Sequence, residues 1–192
     1  MEQISEKKAA LRSRLRKLRR ELDREMLCRE SELLCTRLLA LPELQRAQRV
    51  FCYVSYGGEV ETHRLIVKLL SQGKQVLVPR CKAQGMMDCV PIRSLDQLVP
   101  GMKGILEPPA ELCAADPETV EFAVLPAVAC GEDGSRLGQG GGYYDRFLER
   151  VSCAHAALCL EAFLLPSVPA EPHDQSMKYI VTQQRVLRCE GV

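Results

Sequence analysis

The chain has 192 residues, 46% of them hydrophobic and 27% charged, enough apolar material for one buried core, and it is read as a single domain over residues 1–192. Its formal net charge of +1 supplies no global field for nucleic acid or an anionic membrane, so neither is expected as a partner. The oligomeric state is not read from the sequence; a monomer is the favoured expectation. The 10 cysteines include no C-x-x-C pair, which in so apolar a chain argues for a reduced, cytoplasmic protein rather than a disulfide scaffold.

The N-terminus, MEQISEKKAALRSRLRKLRR, is charged from the start and lacks the apolar stretch of a signal peptide. A basic amphipathic start is also a property of mitochondrial presequences, but Glu2, Glu6 and Glu21 count against that reading. From Ser5, taken as a cap, Leu11, Leu15, Leu18 and Leu22 recur on one helical stripe. Asp23 caps a second helix through Leu27, Leu33, Leu34, Leu38 and Leu41, with Pro42 as its stop. Together they form an N-terminal helical arm.

The period then changes. VFCYV (residues 50–54) reads as a buried strand, Thr62 caps a helix carrying Leu65, Ile66, Leu69 and Leu70, and Gly73 ends it. QVLVP (residues 75–79) is the next strand, so this β–α–β unit predicts parallel neighbours with a right-handed crossover. MDCVPI (residues 87–92) is a further strand and SLDQL (residues 94–98) a helical turn. EFAVLPAVA (residues 121–129) is read as one strand, YYDRFLERV (residues 143–151) as a helix, HAALCLEAFL (residues 155–164) as a strand, and YIVT (residues 179–182) as the last. This alternation predicts an α/β fold with a mostly parallel central sheet and helices on both faces.

The sequence's most unusual stretch is RLGQGGGYYDR, residues 136–146. It is not a P-loop, which ends in lysine followed by serine or threonine, and it is not the dinucleotide fingerprint, which needs glycine where Tyr143 stands. What remains is G-x-G-G-G between a buried strand and a helix, where open α/β sheets place ligands. Glycines let backbone N–H groups approach an anion, Arg136 and Arg146 can grip phosphate through paired hydrogen bonds, and Asp145 offers a hard oxygen for Mg²⁺. The stretch by itself fits an ordinary flexible turn equally well, with both tyrosines packed in the core.

Taken together with K-x-x-L-R at Lys8 to Arg12, EVET at Glu59 to Thr62, Pro79-Arg80 and His173-Asp174, the loop resembles the 5-formyltetrahydrofolate cyclo-ligase family along almost the whole chain. The resemblance implies a three-layer α/β/α sandwich and ATP- and Mg²⁺-dependent conversion of 5-formyltetrahydrofolate to 5,10-methenyltetrahydrofolate, with ATP as co-substrate. It further implies that Lys8, Arg12, Arg80 and the run Arg136, Leu137, Gly138, Gln139, Gly140, Gly141, Gly142, Tyr143 and Tyr144 bind ATP. Val54, Glu59 and the segment from Gln139 through Gly140, Gly141 and Gly142 to Tyr143 would face the folate, Asp145 and Asp174 would hold the metal, and Arg136, Tyr143 and Asp145 would stand nearest the chemistry. One departure is Lys178, where similar chains often carry aspartate. It gives the competing reading, a non-catalytic folate- or nucleotide-binding regulator, its one support.

Each candidate has a plainer reading beside it. Lys8 and Arg12 share a helix face but sit among Arg14, Arg16, Lys17, Arg19 and Arg20, which together resemble a solvated basic surface. Glu61 suits a helix N-terminus better than Glu59 does, leaving Glu59 as the substrate carboxylate. Arg80 is a secondary candidate with a surface ion pair as its alternative, and His173 is left outside the catalytic set. Neighbouring Tyr143 and Tyr144 face about 100° apart on a helix, so they divide their tasks. The cysteines are read as small buried hydrophobes.

Overall fold

The apolar period changes from helical to strand-like near residue 49, and the architecture follows that change. The computed structural model describes residues 2–101 and 104–189. Three helices come first: α1 (Glu2–Arg20), α2 (Arg24–Leu39) and α3 (Pro42–Arg46). Asp23 caps α2 as its sequence position predicts, accepting from Met26 N at 2.8 Å. Ser5 does not cap α1, because the helix already begins at Glu2. Pro42 does not simply stop α2 either; it opens α3, where its missing N–H leaves no intrahelical bond unmade.

The β–α–β unit follows as β1 (Arg49–Cys52), α4 (His63–Ser71) and β2 (Gln75–Cys81), with β1 and β2 parallel from Arg49 opposite Gln75. Thr62 occupies the position before α4, but its hydroxyl is committed elsewhere, donating to Tyr53 O and accepting from Ser55 N. The helix-capping acceptor is Glu61, whose carboxylate takes His63 N at 2.7 Å. Then β3 (Met87–Ile92) pairs antiparallel with β2, and a short ribbon of β4 (Val99–Pro100) and β5 (Leu106–Glu107) follows. SLDQL is a single 3-10 turn closed by a Ser94–Gln97 capping box.

The remaining elements are β6 (Phe122–Pro126), β7 (Ala129–Gly131), β8 (Arg136–Leu137), α5 (Tyr143–Leu148), β9 (Ala154–Leu158), β10 (Leu164–Leu165), β11 (Tyr179–Val181) and β12 (Val186–Arg188). Two long apolar runs therefore divide. EFAVLPAVA gives β6 to the main sheet and β7 to a small second sheet, ordered β10-β7-β8, and the run after His155 is broken by a 3-10 turn before β10. The corner in the first run begins at Pro126, which has no N–H to continue a ladder.

The main sheet has seven strands in the order β12-β11-β9-β6-β1-β2-β3, parallel except at its two edges. Along β1 the side chains alternate between faces: Phe51 stacks on Phe147 of α5 with ring centroids 4.3 Å apart, while Val50 and Cys52 point the other way. Helix α4 packs against β2 and α2 against β11, completing a three-layer sandwich around one core. Burying a side chain such as Phe51, fully inaccessible here, contributes roughly 1.5–3 kcal/mol. From β1 the chain runs outward to β2 and β3, then returns to β6 on the other side of β1. That reversal opens a crevice beyond the carboxyl ends of β1 and β6.

Candidate active site

The small sheet delivers the glycine loop to this crevice. Cys130 of β7 pairs with Arg136 of β8, and Val128 N donates to Leu137 O at 2.7 Å, which fixes where the loop leaves the sheet. Gly140 has φ of +100° and Gly142 has φ of +66°, backbone conformations that side chains with a Cβ rarely adopt. The loop is held by its carbonyls. Arg12 Nε donates to Gly138 O at 2.8 Å, Arg16 Nη2 to Gln139 O at 3.0 Å, and Arg146 to Gly141 O. None of the N–H groups of Gly138 through Gly142 donates to a protein acceptor among the described residues.

Helix α1 lies as a strap beside that loop. Arg14, Lys17 and Arg20 are indeed solvated, but Lys8 and Arg19 are buried, with relative exposures of 4% and 8%. Lys8 Nζ stands 2.7 Å from Glu171 Oε2 and 2.5 Å from Asp174 Oδ2. Burial disfavours the Lys8 ammonium, yet the bonds to Asp174 and Glu171 prevail and hold its pKa above the ordinary lysine value. Glu171 is held below the usual carboxylate range by Lys8, and Asp174 likewise, there against the opposing effect of burial.

Arg136 and Asp145 form a second ion pair at 2.7 Å, with the arginine side chain only 2% exposed. Arg136 also donates to Pro126 O at 3.2 Å and lies 5.8 Å from the centre of the Tyr144 ring. Burial pushes the Tyr144 phenol well above its ordinary pKa. Asp145 Oδ1 takes Arg136 and Gln175 N, and Asp174 Oδ2 takes Lys8 and Glu171 N. Each carboxylate keeps a second oxygen without a partner among the described residues. That donor set fits Mg²⁺, which takes oxygen ligands, commonly one or two carboxylates completed by phosphate. Glu171, His173 and Asp174 are also clustered, with ligand atoms within 4.8 Å of one another, but Lys8 already serves that group as its cation.

These groups surround one cavity of about 420 Å³. Of the residues singled out from sequence, Lys8, Arg12, Glu59, the run from Arg136 to Asp145, and Asp174 all line it. Tyr143 and Tyr144 both do so, rather than one lining the cavity and one packing inward. Val54 and Arg80 do not. Val54 is buried just beyond β1, and Arg80 is occupied by the carbonyls of Pro109 and Leu112 and by Asp88 at 3.1 Å. Glu59 and Glu61 part company, because the chain turns at Tyr56, whose N–H donates to Glu59 Oε2 at 3.1 Å, while Glu61 turns away to α4. Burial raises the Glu59 pKa, opposed by the Tyr56 N–H, by Arg19 and by the amide of Gln139. Lys178 is exposed and lies off the cavity.

Sequence reasoning passed over Glu171, which completes the Lys8 pair, and Arg16, which grips Gln139. Arg16 carried a usable signal: it falls four residues after Arg12, as Arg12 does after Lys8. Arg146, read as a phosphate ligand, instead ties the loop to the turn at Gly85 through Gly85 O at 3.0 Å.

A parallel sheet that opens at its switch point onto unpaired loop amides and part-neutralised carboxylates is the arrangement of an α/β enzyme acting on a small anionic ligand. The comparisons with known proteins make the class specific. The chain matches the model of the 5-formyltetrahydrofolate cyclo-ligase family over residues 4–183, and it belongs to that family of ligases. It is 29% identical to the mouse 5-formyltetrahydrofolate cyclo-ligase, covering 93% of this chain and 94% of the relative. The mitochondrial 5-formyltetrahydrofolate cyclo-ligase of Arabidopsis thaliana is 26% identical over 97% of this chain and 78% of that protein. The NMR structure of 5,10-methenyltetrahydrofolate synthetase from Aquifex aeolicus superposes with a TM-score of 0.86 at 30% identity, covering 96% and 94% of the two chains.

Proposed function

We propose that this protein cyclises 5-formyltetrahydrofolate to 5,10-methenyltetrahydrofolate, using ATP and Mg²⁺ and releasing ADP and phosphate. The observation that carries the reading is the loop held by its carbonyls. Arginines from α1 and α5 grip the carbonyls of Gly138, Gln139 and Gly141, and the neighbouring N–H groups are left for a ligand's phosphate oxygens. The six-residue helix α5 is too short to add much field of its own, so the loop itself makes the anion site.

The chemistry explains why such a site is needed. An N-formyl group is an amide, with a poor electrophilic carbon and an oxygen that does not leave. Transfer of the γ-phosphoryl group to the formyl oxygen gives an imidate-like phosphate. N10 of the same folate then attacks the formyl carbon and gives up its proton, and departing phosphate leaves the methenyl bridge. Both nucleophile and electrophile belong to one bound substrate, so the protein's work is positioning and charge stabilisation.

In this reading Arg136, Tyr143 and Asp145 stand nearest the transferred group, with Lys8 and Arg12 on the phosphate chain. Glu59 accepts pterin N–H groups, and Asp145 with Asp174 would hold the metal. Magnesium, when bound, would offset charge on the phosphate oxygens. The cavity needs that help: it is lined by Lys8, Arg12, Arg136 and Arg146 against the five carboxylates Glu59, Asp145, Glu149, Glu171 and Asp174. An added cation would tip that balance toward a triphosphate.

A cytoplasmic monomer is the proposed working state, in keeping with thiols that are all unpaired. No described helix is long and apolar enough to cross a membrane. The test is to follow the methenyl product's absorbance with 5-formyltetrahydrofolate and Mg²⁺, with and without ATP. ATP-dependent product is expected; folded protein that makes none, or that makes it without ATP, overturns the proposal.

A further inference from the structure

The turn between β10 and β11 brings an unengaged aromatic side chain to the cavity. Asp174 N donates to Glu171 O at 2.9 Å and closes the turn, with Pro172 where a fixed φ suits it and His173 beside it at the tip. The turn is braced on both sides. Lys8 Nζ bridges Glu171 Oε2 and Asp174 Oδ2, Glu171 N donates to Asp174 Oδ2 at 2.6 Å, and Gln175 N reaches Asp145 Oδ1 at 3.4 Å. His173 takes no part in that bracing. The one carboxylate oxygen within ion-pairing distance of its ring among the described residues, Glu171 Oε2, is 3.9 Å from Nε2, beyond hydrogen-bond reach, and is already taken by Lys8. The imidazole lines the cavity and is 70% exposed. A fixed turn that holds a free aromatic ring at a cavity mouth is a preorganised contact for a ligand.

Helix α1 shows which end of which ligand arrives there. Its side chains meet the site in sequence: Lys8 at this turn, Arg12 at Gly138 O, Arg16 at Gln139 O, and Arg19 at Ala127 O and Val128 O. A Cβ on Gly58, the residue before Glu59, would stand 3.6 Å from Arg19 O. Glu59 therefore belongs to the Arg19 end and His173 to the Lys8 end, and those two ends of the helix segment are about 16 Å apart at 1.5 Å per residue. The glycine loop lies between them. Ser5, one turn before Lys8, lines the cavity beyond it. The phosphoryl group has to reach the formyl oxygen of the folate, so the terminal phosphate faces the Glu59 end. The rest of the nucleotide then trails across the loop amides toward the braced turn, where the phosphates end and the base begins.

We infer that His173 is the nucleobase contact of this site, its imidazole stacking on the purine of ATP at the Lys8 end of the cavity. The inference rests on the proposed use of ATP and adds a contact that recognises the base rather than the phosphate charge. Histidine is among the side chains on which bases stack, and every base has a π-face to offer. The bracing of the turn then has a use, because a ring already fixed in place loses little freedom when the ligand arrives. The ring's exposure fits as well, since it leaves one face open to cover a flat ligand.

The experiment compares the full-length wild type, His173→Ala and His173→Phe in steady-state kinetics at about pH 8, where an ordinary imidazole is neutral, with Mg²⁺ saturating. The side chain is exposed, so neither substitution removes core packing. His173→Ala should raise the KM for ATP about tenfold, the size of one lost base stack, and leave kcat and the KM for 5-formyltetrahydrofolate unchanged. His173→Phe keeps a flat ring without the ring nitrogens and should return the ATP KM to within about twofold of wild type. Inorganic tripolyphosphate, which carries the charge but no base, should compete with ATP equally well in all three proteins. An unchanged ATP KM in His173→Ala overturns the inference. So does a His173→Phe as weak as His173→Ala, and so does a tripolyphosphate inhibition constant that rises in step with the ATP KM, since that result would place the effect on the phosphates. If wild type itself makes no ATP-dependent product, the proposed function fails and this inference with it; if wild type turns over with ATP and the variants give any of the three overturning results, only the base contact falls.

Discussion

Arg136 meets Asp145 at 2.7 Å, and the pair joins the strand that enters the glycine loop to the helix that leaves it. The loop's width is therefore set by an ion pair whose arginine is almost wholly enclosed. From sequence alone Asp145→Asn looks like a clean deletion of a metal ligand that leaves the fold intact. The structure adds a second effect, because the change leaves Arg136 buried without its counter-charge. We expect Asp145→Asn to lose about 1–3 kcal/mol of stability in denaturant unfolding and also to need far more Mg²⁺ for ATP turnover. An unchanged Mg²⁺ requirement would remove Asp145 from the metal site, whatever happened to stability.

Gly140 tests the loop's backbone. Its φ of +100° lies outside what an alanine accepts, and a Cβ there would also come within 3.4 Å of the Arg12 guanidinium carbon. Gly140→Ala should cost on the order of 1–3 kcal/mol of local strain. Because the loop is exposed, most of that is expected to be released by the loop changing conformation, so ATP affinity falls by about tenfold or more while the thermal midpoint moves little. A variant with normal ATP affinity would mean that the loop's conformation is not what the nucleotide reads.

These two cases show what the sequence made legible. The loop's glycines, the β–α–β unit and the strand at residues 87–92 were readable because each has a strong local signature: absent Cβ atoms, a change of apolar period, and turn residues on both sides. The division of EFAVLPAVA between two sheets was not, since an unbroken apolar run looks alike on either side of a corner and Pro126 was its only mark. The edge strand β12 was missed for a related reason. Its three residues are partly or fully exposed and carry no apolar alternation. Ion-pair partners were hardest, because Lys8 and Asp174 are 166 positions apart and nothing local in either names the other. Arg19 illustrates the same limit, as its neighbours on α1 are solvated and only tertiary packing distinguishes it.

The carbonyl clamp predicts a division of labour along α1. Arg12→Met removes the bond to Gly138 O and should raise the KM for ATP about tenfold, in the range of a lost hydrogen bond from a charged donor, with little effect on the KM for folate. Arg16→Met releases Gln139, which Arg16 holds through both the backbone carbonyl and the side-chain oxygen. Since the Gln139 amide acts on Glu59, the folate KM should rise instead. Steady-state kinetics with each substrate varied in turn will show whether the two effects separate; equal effects on both substrates would mean the arm acts only as a scaffold.

Arg80 provides the sharpest contrast between resemblance and geometry. The resemblance implies a role in ATP binding, but the side chain is spent on Pro109 O at 2.8 Å, Leu112 O at 2.9 Å and Asp88 at 3.1 Å. These bonds pin the segment after β5 onto β2 and β3. Arg80→Met should therefore lower the thermal midpoint and leave ATP affinity unchanged. The pair also has a pH signature. Burial raises the Asp88 pKa, but hydrogen bonds from Lys82 and Arg80 outweigh it, so the folded value lies below the ordinary 3.8. A carboxylate depressed on folding stabilises above its unfolded pKa, and that contribution disappears as pH falls through the folded one. Neutral pH should thus leave the Arg80–Asp88 contribution intact, and wild type should lose it only below about pH 4. In Arg80→Met that acid-dependent loss should shrink, because only Lys82 remains to depress Asp88. Unfolding curves for both proteins from neutral to strongly acid pH measure this directly. A raised ATP KM with an unchanged unfolding profile would return Arg80 to the nucleotide and overturn its assignment to the scaffold.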